Sequence, residues 1–398
     1  PHVDYSVNST SSSSTAVENL FGSSMPNLKK IIVPEGCYRK YSSEYGSYLQ
    51  NRTRIVEAGA EDFIIENGVV TAYVGEAEEV TVPDGVTEIG AKAFLNNRSV
   101  KRITLPESVE KIGAEAFRGC SAAEGINIPS GVTEIGNRAF YNCYGLKQAL
   151  ELPEGLSVLG ESAFYGCSSL TGSLIVPAGL KEVKGSSFYN CSGLTGTLSL
   201  PEGLEAIGSY AFYGCTGLSG DLKLPDGVKT IGTYAFQNCS GFKGTLTLPG
   251  GLIKVEEGVF HGCSGLAGTL SLPDSVKMVD NRAFRGCRGF NRVEFGTGLS
   301  NIYSWSDYGA FYGCSGITEV TFLGESVPHV DYSVNSTSSS STAVENLFGS
   351  SMSNLKTIYV MQESLEKYQS AWSAYIPSRV SFSTDTLQLS ISNFASTY

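Results

Sequence analysis

Along most of this chain, short apolar segments alternate with polar ones in a fixed order, and the order repeats. In one unit Leu198 and Leu200 flank Ser199, Pro201 follows, and Leu204, Ile207 and Gly208 precede Ala211, Phe212, Cys215 and Leu218. The alternation over Leu198–Leu200 predicts a short strand with one buried face. Pro201 ends its pairing, because proline has no N–H to donate. Leu204 and Ile207 return inward, and Gly208 permits a tight corner. Phe212 and Cys215 share the inner face if their segment makes one helical or 3-10 turn.

The anchoring phenylalanines are Phe94, Phe117, Phe140, Phe164, Phe188, Phe212, Phe236, Phe260, Phe284 and Phe311, with steps of 23, 23, six of 24 and then 27. A period in this range marks a solenoid, in which each coil packs only on its neighbours. One coil cannot bury its own apolar residues. Stacked coils, with strands roughly 4.8 Å apart, bury them in one continuous core.

The run L-x-L-P-x-x-L-x-x-I-G-x-x-A-F-x-x-C-x-x-L, followed from about Val80 to Leu323, resembles the BspA-like leucine-rich repeats of bacterial cell-surface proteins. The opening segment, Phe63 through Tyr73, also resembles the start of such arrays. The resemblance implies a leucine-rich-repeat solenoid with a parallel β-strand in each 23–24-residue coil, short helical or 3-10 turns, and helical caps at the ends. It implies display on the cell surface or secretion, and adhesion or binding to a protein or glycan outside the cell. It specifies no ligand.

Some copies depart from the pattern. Asn97 takes the Cys slot of the first repeat; both residue types are small and can satisfy a neighbouring backbone group. The corner glycine is replaced by Lys184, Glu256, Asp280 and Tyr303, and those coils are expected to bend the solenoid locally. The Phe311 repeat carries an insertion with three aromatics, Tyr303, Trp305 and Tyr308, which are expected to lie outside the core.

A second repeat exists at larger scale: Pro1 to Met25 is identical to Pro328 to Met352. The C-terminal copy follows the last coil and reads as a closing module. Residues 1–57 then read as the closing module of an array preceding this chain, 58–327 as the solenoid, and 328–398 as the second closing module and a tail. Each module has an aromatic helical stripe, Tyr38, Tyr41, Tyr45 and Tyr48 in one and Leu365, Tyr368, Trp372 and Tyr375 in the other. Such a stripe either covers the open end of the core or binds a partner.

Composition narrows the function. Net charge is −11 and no basic cluster occurs, which makes nucleic acid and anionic membrane poor partners. No apolar run approaches the roughly 20 residues of a membrane span. Of ten cysteines, nine (Cys120, Cys143, Cys167, Cys191, Cys215, Cys239, Cys263, Cys287 and Cys314) occupy one repeat slot, and Cys37 stands apart. They read as a ladder of buried thiols. Side chains stacked at strand spacing, with Cβ atoms about 4.8 Å apart, are too far apart for disulfides. Metal-ligand spacing is absent as well, so no metal or cofactor is expected. No nucleophile elbow, phosphate loop, dinucleotide fingerprint or zinc-protease motif occurs, so the chain is read as non-enzymatic.

One column remains. From Phe140 onward the residue after the Phe is Tyr141, Tyr165, Tyr189, Tyr213 and Tyr312, interrupted by Gln237, His261 and Arg285. If Phe and Cys face inward, this residue faces outward. Adjacent tyrosines then form an amphipathic strip of the kind enriched in binding surfaces, or stack to shield the turn. Tyr141, Tyr165, Tyr189, Tyr213 and Trp305 are the candidate contacts. The alternatives are a spacer that only sets distance and a glycan-binding module.

Overall fold

In the coil that carries Phe212 the chain makes two short strands, Leu198–Ser199 and Ala206–Ile207, then consecutive tight turns from Gly208. In this computed structural model the described residues are 30–33, 54–57, 62–304, 308–331 and 341–384. Both strands pair in parallel with their counterparts one coil away: Leu174 with Leu198, and Ala206 with Thr230. The second strand, at the Leu-x-x-Ile-Gly segment, is additional to the one expected per coil. Its two paired residues are too few to display a period-two pattern.

The corner is not the expected helical or 3-10 turn. Ala211, Tyr213 and Cys215 donate to the carbonyls three residues back, at 3.3, 3.1 and 3.1 Å. Tyr210 and Gly214 have φ of +58° and +70°. A left-handed residue cannot continue a right-handed helix. The alternate N–H groups of Tyr210, Phe212 and Gly214 therefore point along the solenoid and reach Thr233, Ala235 and Gln237 of the next coil, at 3.0, 2.8 and 2.8 Å. A helix would keep those donors to itself. The second left-handed slot holds only Asn or Gly, alternating from Asn96 through Gly119, Asn142, Gly166, Asn190, Gly214 and Asn238 to Gly262, the two types that tolerate this conformation. A Cβ on Gly214 would lie 2.1 Å from Asn190 Oδ1, so the asparagine of one coil rests where the next has no side chain.

The strand ladders are interrupted. Leu198–Ser199 and Gly220–Lys223 belong to separate sheets, joined by one isolated bridge between Thr197 and Ser219. The expected single sheet is therefore seen as several shorter ones; within the sheet that Gly220–Lys223 forms with Phe242–Thr247 the register shifts between Gly220, with φ of +83°, and Leu222. The ladder of second strands breaks between Val158–Leu159 and Glu182–Val183, and again between Thr230–Ile231 and Lys254–Val255. Both breaks fall where a glycine corner is followed by one with a side chain, Gly160 by Lys184 and Gly232 by Glu256. Corner glycines elsewhere leave little room. A Cβ on Gly208 would sit 2.5 Å from the backbone nitrogen of Gly185 in the preceding coil. Both breaks thus coincide with a side chain stacked against a glycine corner, whereas the ladder is intact between corners that both carry side chains, from Glu256 to Asp280 and from Asp280 to Tyr303.

The core is a spine of phenylalanines from Phe94 to Phe311, each ring stacked on the next at centroid distances such as 4.9 Å (Phe140–Phe164) and 5.7 Å (Phe164–Phe188). Cys120 to Cys314 are buried and free. Each thiol donates to the Phe carbonyl of the preceding coil, as Cys215 Sγ does to Phe188 O at 3.0 Å. Asn97 also satisfies backbone, but differently: its Oδ1 accepts from Ser99 and Val100 N–H at 3.0 and 2.9 Å. Burial pushes the Cys120 and Cys215 thiols up to about 12. A thiol-specific reagent at pH 8 should therefore leave the nine ladder cysteines unlabelled until denaturant is added. Rapid labelling of several in the native protein would contradict this core.

Both ladders run on past residue 327. His329–Asp331 pairs with Asn301–Tyr303, and Thr357–Val360 lies between Glu319–Phe322 and Ser381–Ser383. The helix Leu365–Trp372 turns Tyr368 and Trp372 inward, their rings 5.4 and 5.3 Å from Phe322. Tyr375 lies beyond its end and is exposed. The N-terminal stripe of Tyr38 to Tyr48, and Cys37, lie outside the described residues.

Candidate binding surface

The turn that fixes Phe212 inside sends Tyr213 outside. The rings of Tyr141, Tyr165, Tyr189 and Tyr213 stack at centroid distances of 4.5, 4.4 and 4.4 Å, with interplanar angles of 12°, 5° and 3°. The separation follows the coil spacing. Every ring is half-buried, because each covers a face of its neighbour. What reaches solvent is a row of ring edges and hydroxyls rather than a flat aromatic platform. Burial, then the neighbouring Tyr213 and Tyr165, pushes the Tyr189 hydroxyl up to about 12; Tyr165 is raised by burial and then by Tyr141. These hydroxyls stay protonated at neutral pH and can both donate and accept.

The column does not end with the tyrosines. Arg118 lies 5.5 Å from the Tyr141 ring centroid at one end. Beyond Tyr213, Gln237 contacts His261 Nδ1 at 2.9 Å, Arg285 Nη1 contacts His261 Nε2 at 3.0 Å, and the Arg285 guanidinium lies 5.4 Å from the Tyr312 ring. The residues read as interruptions thus continue the ladder in polar form. A guanidinium can only donate, so Nε2 accepts and the ring proton sits on Nδ1; the Gln237 atom placed against Nδ1 is its amide Nε2, so the amide has to flip to present its oxygen as acceptor. Burial, followed by Arg285 and Arg282, holds His261 down at about 4.

A second column was missed. Tyr210 and Tyr234, two residues before their phenylalanines, stack at 5.3 Å beside the first column, with Tyr189 and Tyr210 6.4 Å apart. Aligning the position two before each Phe would have exposed them. Of the insertion aromatics, Tyr303 is buried in the core against expectation, because it ends a strand paired with Met278–Val279 on one side and His329–Asp331 on the other. Tyr308 is exposed, with the Arg282 guanidinium 4.1 Å from its ring. Trp305 lies outside the described residues.

The family model for the BspA type leucine-rich repeat region, in six copies, matches residues 72–195, 194–318 and 242–373. The chain belongs to this BspA-type family. No curated protein sequence matches this BspA-type chain. It is similar to a leucine-rich repeat protein from Bacteroides ovatus at 23% identity and a TM-score of 0.47, covering 81% of this chain and 91% of the other. It is also similar to the pneumococcal vaccine antigen PcpA at 17% identity and a TM-score of 0.46, covering 89% and 88%. A leucine rich cell surface protein from Faecalibacterium prausnitzii matches at 22% identity and a TM-score of 0.34, covering 65% and 92%. BspA-type repeats form the array, and no helix among the described residues is long and apolar enough to cross a membrane.

Proposed function

We propose that this BspA-type protein is a non-enzymatic cell-surface or secreted binding protein, and that its tyrosine face contacts a macromolecular partner. The observation that carries this reading is the stack of Tyr141, Tyr165, Tyr189 and Tyr213 outside a core already filled by the phenylalanine spine. These large side chains present hydroxyls and ring edges at low entropic cost, and anchors of this kind dominate interface energies. An extended row repeating with the coil suits an extended partner.

The test begins with immobilised extracellular-matrix proteins and a glycan array. For any ligand found, the double variant Tyr165→Ala/Tyr189→Ala should bind at least about tenfold more weakly, or roughly 1.4 kcal/mol, with an unchanged Tm. Trp305→Ala serves as the rival site. Unaltered binding by the tyrosine variant sinks this reading, and no ligand in either screen favours a spacer.

A further inference from the structure

Where the tyrosine column turns polar, a cleft of about 280 Å³ is lined by Tyr234, Gln237, His261, Arg282, Arg285 and Tyr308. Its charge is unlike that of the chain. Arg282 Nη1 lies 3.1 Å from Glu257 Oε1 and 3.1 Å from the Tyr234 hydroxyl, so one guanidinium is paired with one carboxylate. Arg285 has no carboxylate partner among its hydrogen bonds: Nη1 meets the neutral His261, and Nε is buried with no hydrogen-bond partner. Two guanidiniums against one carboxylate leave a local positive charge on a protein whose net charge is −11. A buried guanidinium donor without an acceptor is costly, and a planar fork of such donors matches an oxyanion. At roughly 30 Å³ per water the cleft holds about nine waters, more room than a bare oxyanion fills. Its remaining lining, two tyrosines and an amide, offers donors, acceptors and ring faces.

We propose that this cleft binds an oxyanion carried on a ring-sized polar group, the chemistry of an acidic sugar. The carboxylate or sulfate ester pairs with Arg285 and Arg282, and the sugar hydroxyls meet Tyr234, Tyr308 and Gln237. This holds whether or not the tyrosine face is a contact surface, since the two use different side chains.

NMR of the imidazole C–H signals reads the cleft directly. The chain has three histidines, His2, His261 and His329, and His261→Gln identifies the relevant signal. In the free protein His261 titrates at about 4. An oxyanion that draws Arg285 away from Nε2 and adds negative charge beside the ring favours the imidazolium, so the midpoint rises. Methyl glucuronide and glucose 6-sulfate should each give a saturable shift of the His261 signal and raise its midpoint. Methyl glucoside should do neither. Arg285→Gln and Arg282→Gln, each with Tm retained, should weaken binding at least about tenfold. The proposal is overturned if neither acidic sugar moves the signal, if the neutral sugar binds equally well, or if both arginine variants keep full affinity. Inorganic sulfate binding as tightly as the sulfated sugar would remove the ring from the proposal.

Discussion

Phe212→Ala should destabilise the protein by about 3–5 kcal/mol, while Tyr213→Ala should cost less than about 1 kcal/mol. The two residues are adjacent in sequence and similar in size, so the difference tests the inside–outside assignment alone. Phe212 is fully buried and lies between Phe188 at 5.6 Å and Phe236 at 5.1 Å. Its removal leaves a gap in the spine that the two adjoining coils must close, because the Phe212 ring stacks only on the spine rings of those coils. Those coils are held at fixed spacing by backbone hydrogen bonds, which limits collapse into the cavity. Tyr213 is half-buried, stacks on Tyr189 at 4.4 Å, and has Gln237 in its column on the other side. Its loss exposes little that was dry. Urea denaturation with unchanged m gives both values. Equal losses would mean that the column after each phenylalanine belongs to the core.

How much of this was legible in the sequence depended on whether a feature repeats as a residue type. The phenylalanine spine and the cysteine ladder were readable because the same side chain returns at the same interval to the same buried place. The second strand was not, since Ala206–Ile207 is two residues long. The corner was misread as helical because its geometry lies in φ rather than hydrophobicity. Its signature is the Asn/Gly column from Asn96 to Gly313, visible only when the position two after each phenylalanine is aligned. The outward placing of Tyr141 to Tyr213 followed from the inward placing of Phe and Cys. The polar cleft did not follow, because it joins two columns across coils: Arg282 reaches Tyr234, 48 residues away, while His261 and Arg285 come from the other column.

Gly160→Ala should cost about 2–4 kcal/mol and detach a strand. The φ of Gly160 lies outside the left-handed range, so the penalty is one of contact rather than conformation. A Cβ there would lie 2.3 Å from Asn137 N, 2.3 Å from Gly136 C and 2.5 Å from Gly136 O. All three are backbone atoms of the preceding coil and cannot swing aside. The second-strand ladder already breaks on entering the coils of Lys184 and Glu256. At Gly160 the same separation would endanger the bonds from Ser157, Val158 and Gly160 N–H to Thr133 O and Ile135 O, now 3.0, 3.2 and 2.7 Å long. Val158–Leu159 has no ladder partner on its Lys184 side, so it would be left unpaired on both. Overpacking costs about 1–3 kcal/mol, and each lost bond adds about 0.5–1.5 kcal/mol where water does not replace it. Hydrogen exchange should show protection lost at these three amides, alongside a lower urea midpoint. In the reverse variant, Lys184→Gly, the Lys184-position amide should gain protection as the ladder closes onto Leu159. If Gly160→Ala keeps its protection and its midpoint, a corner side chain is not what separates the coils, and the two native breaks have another cause.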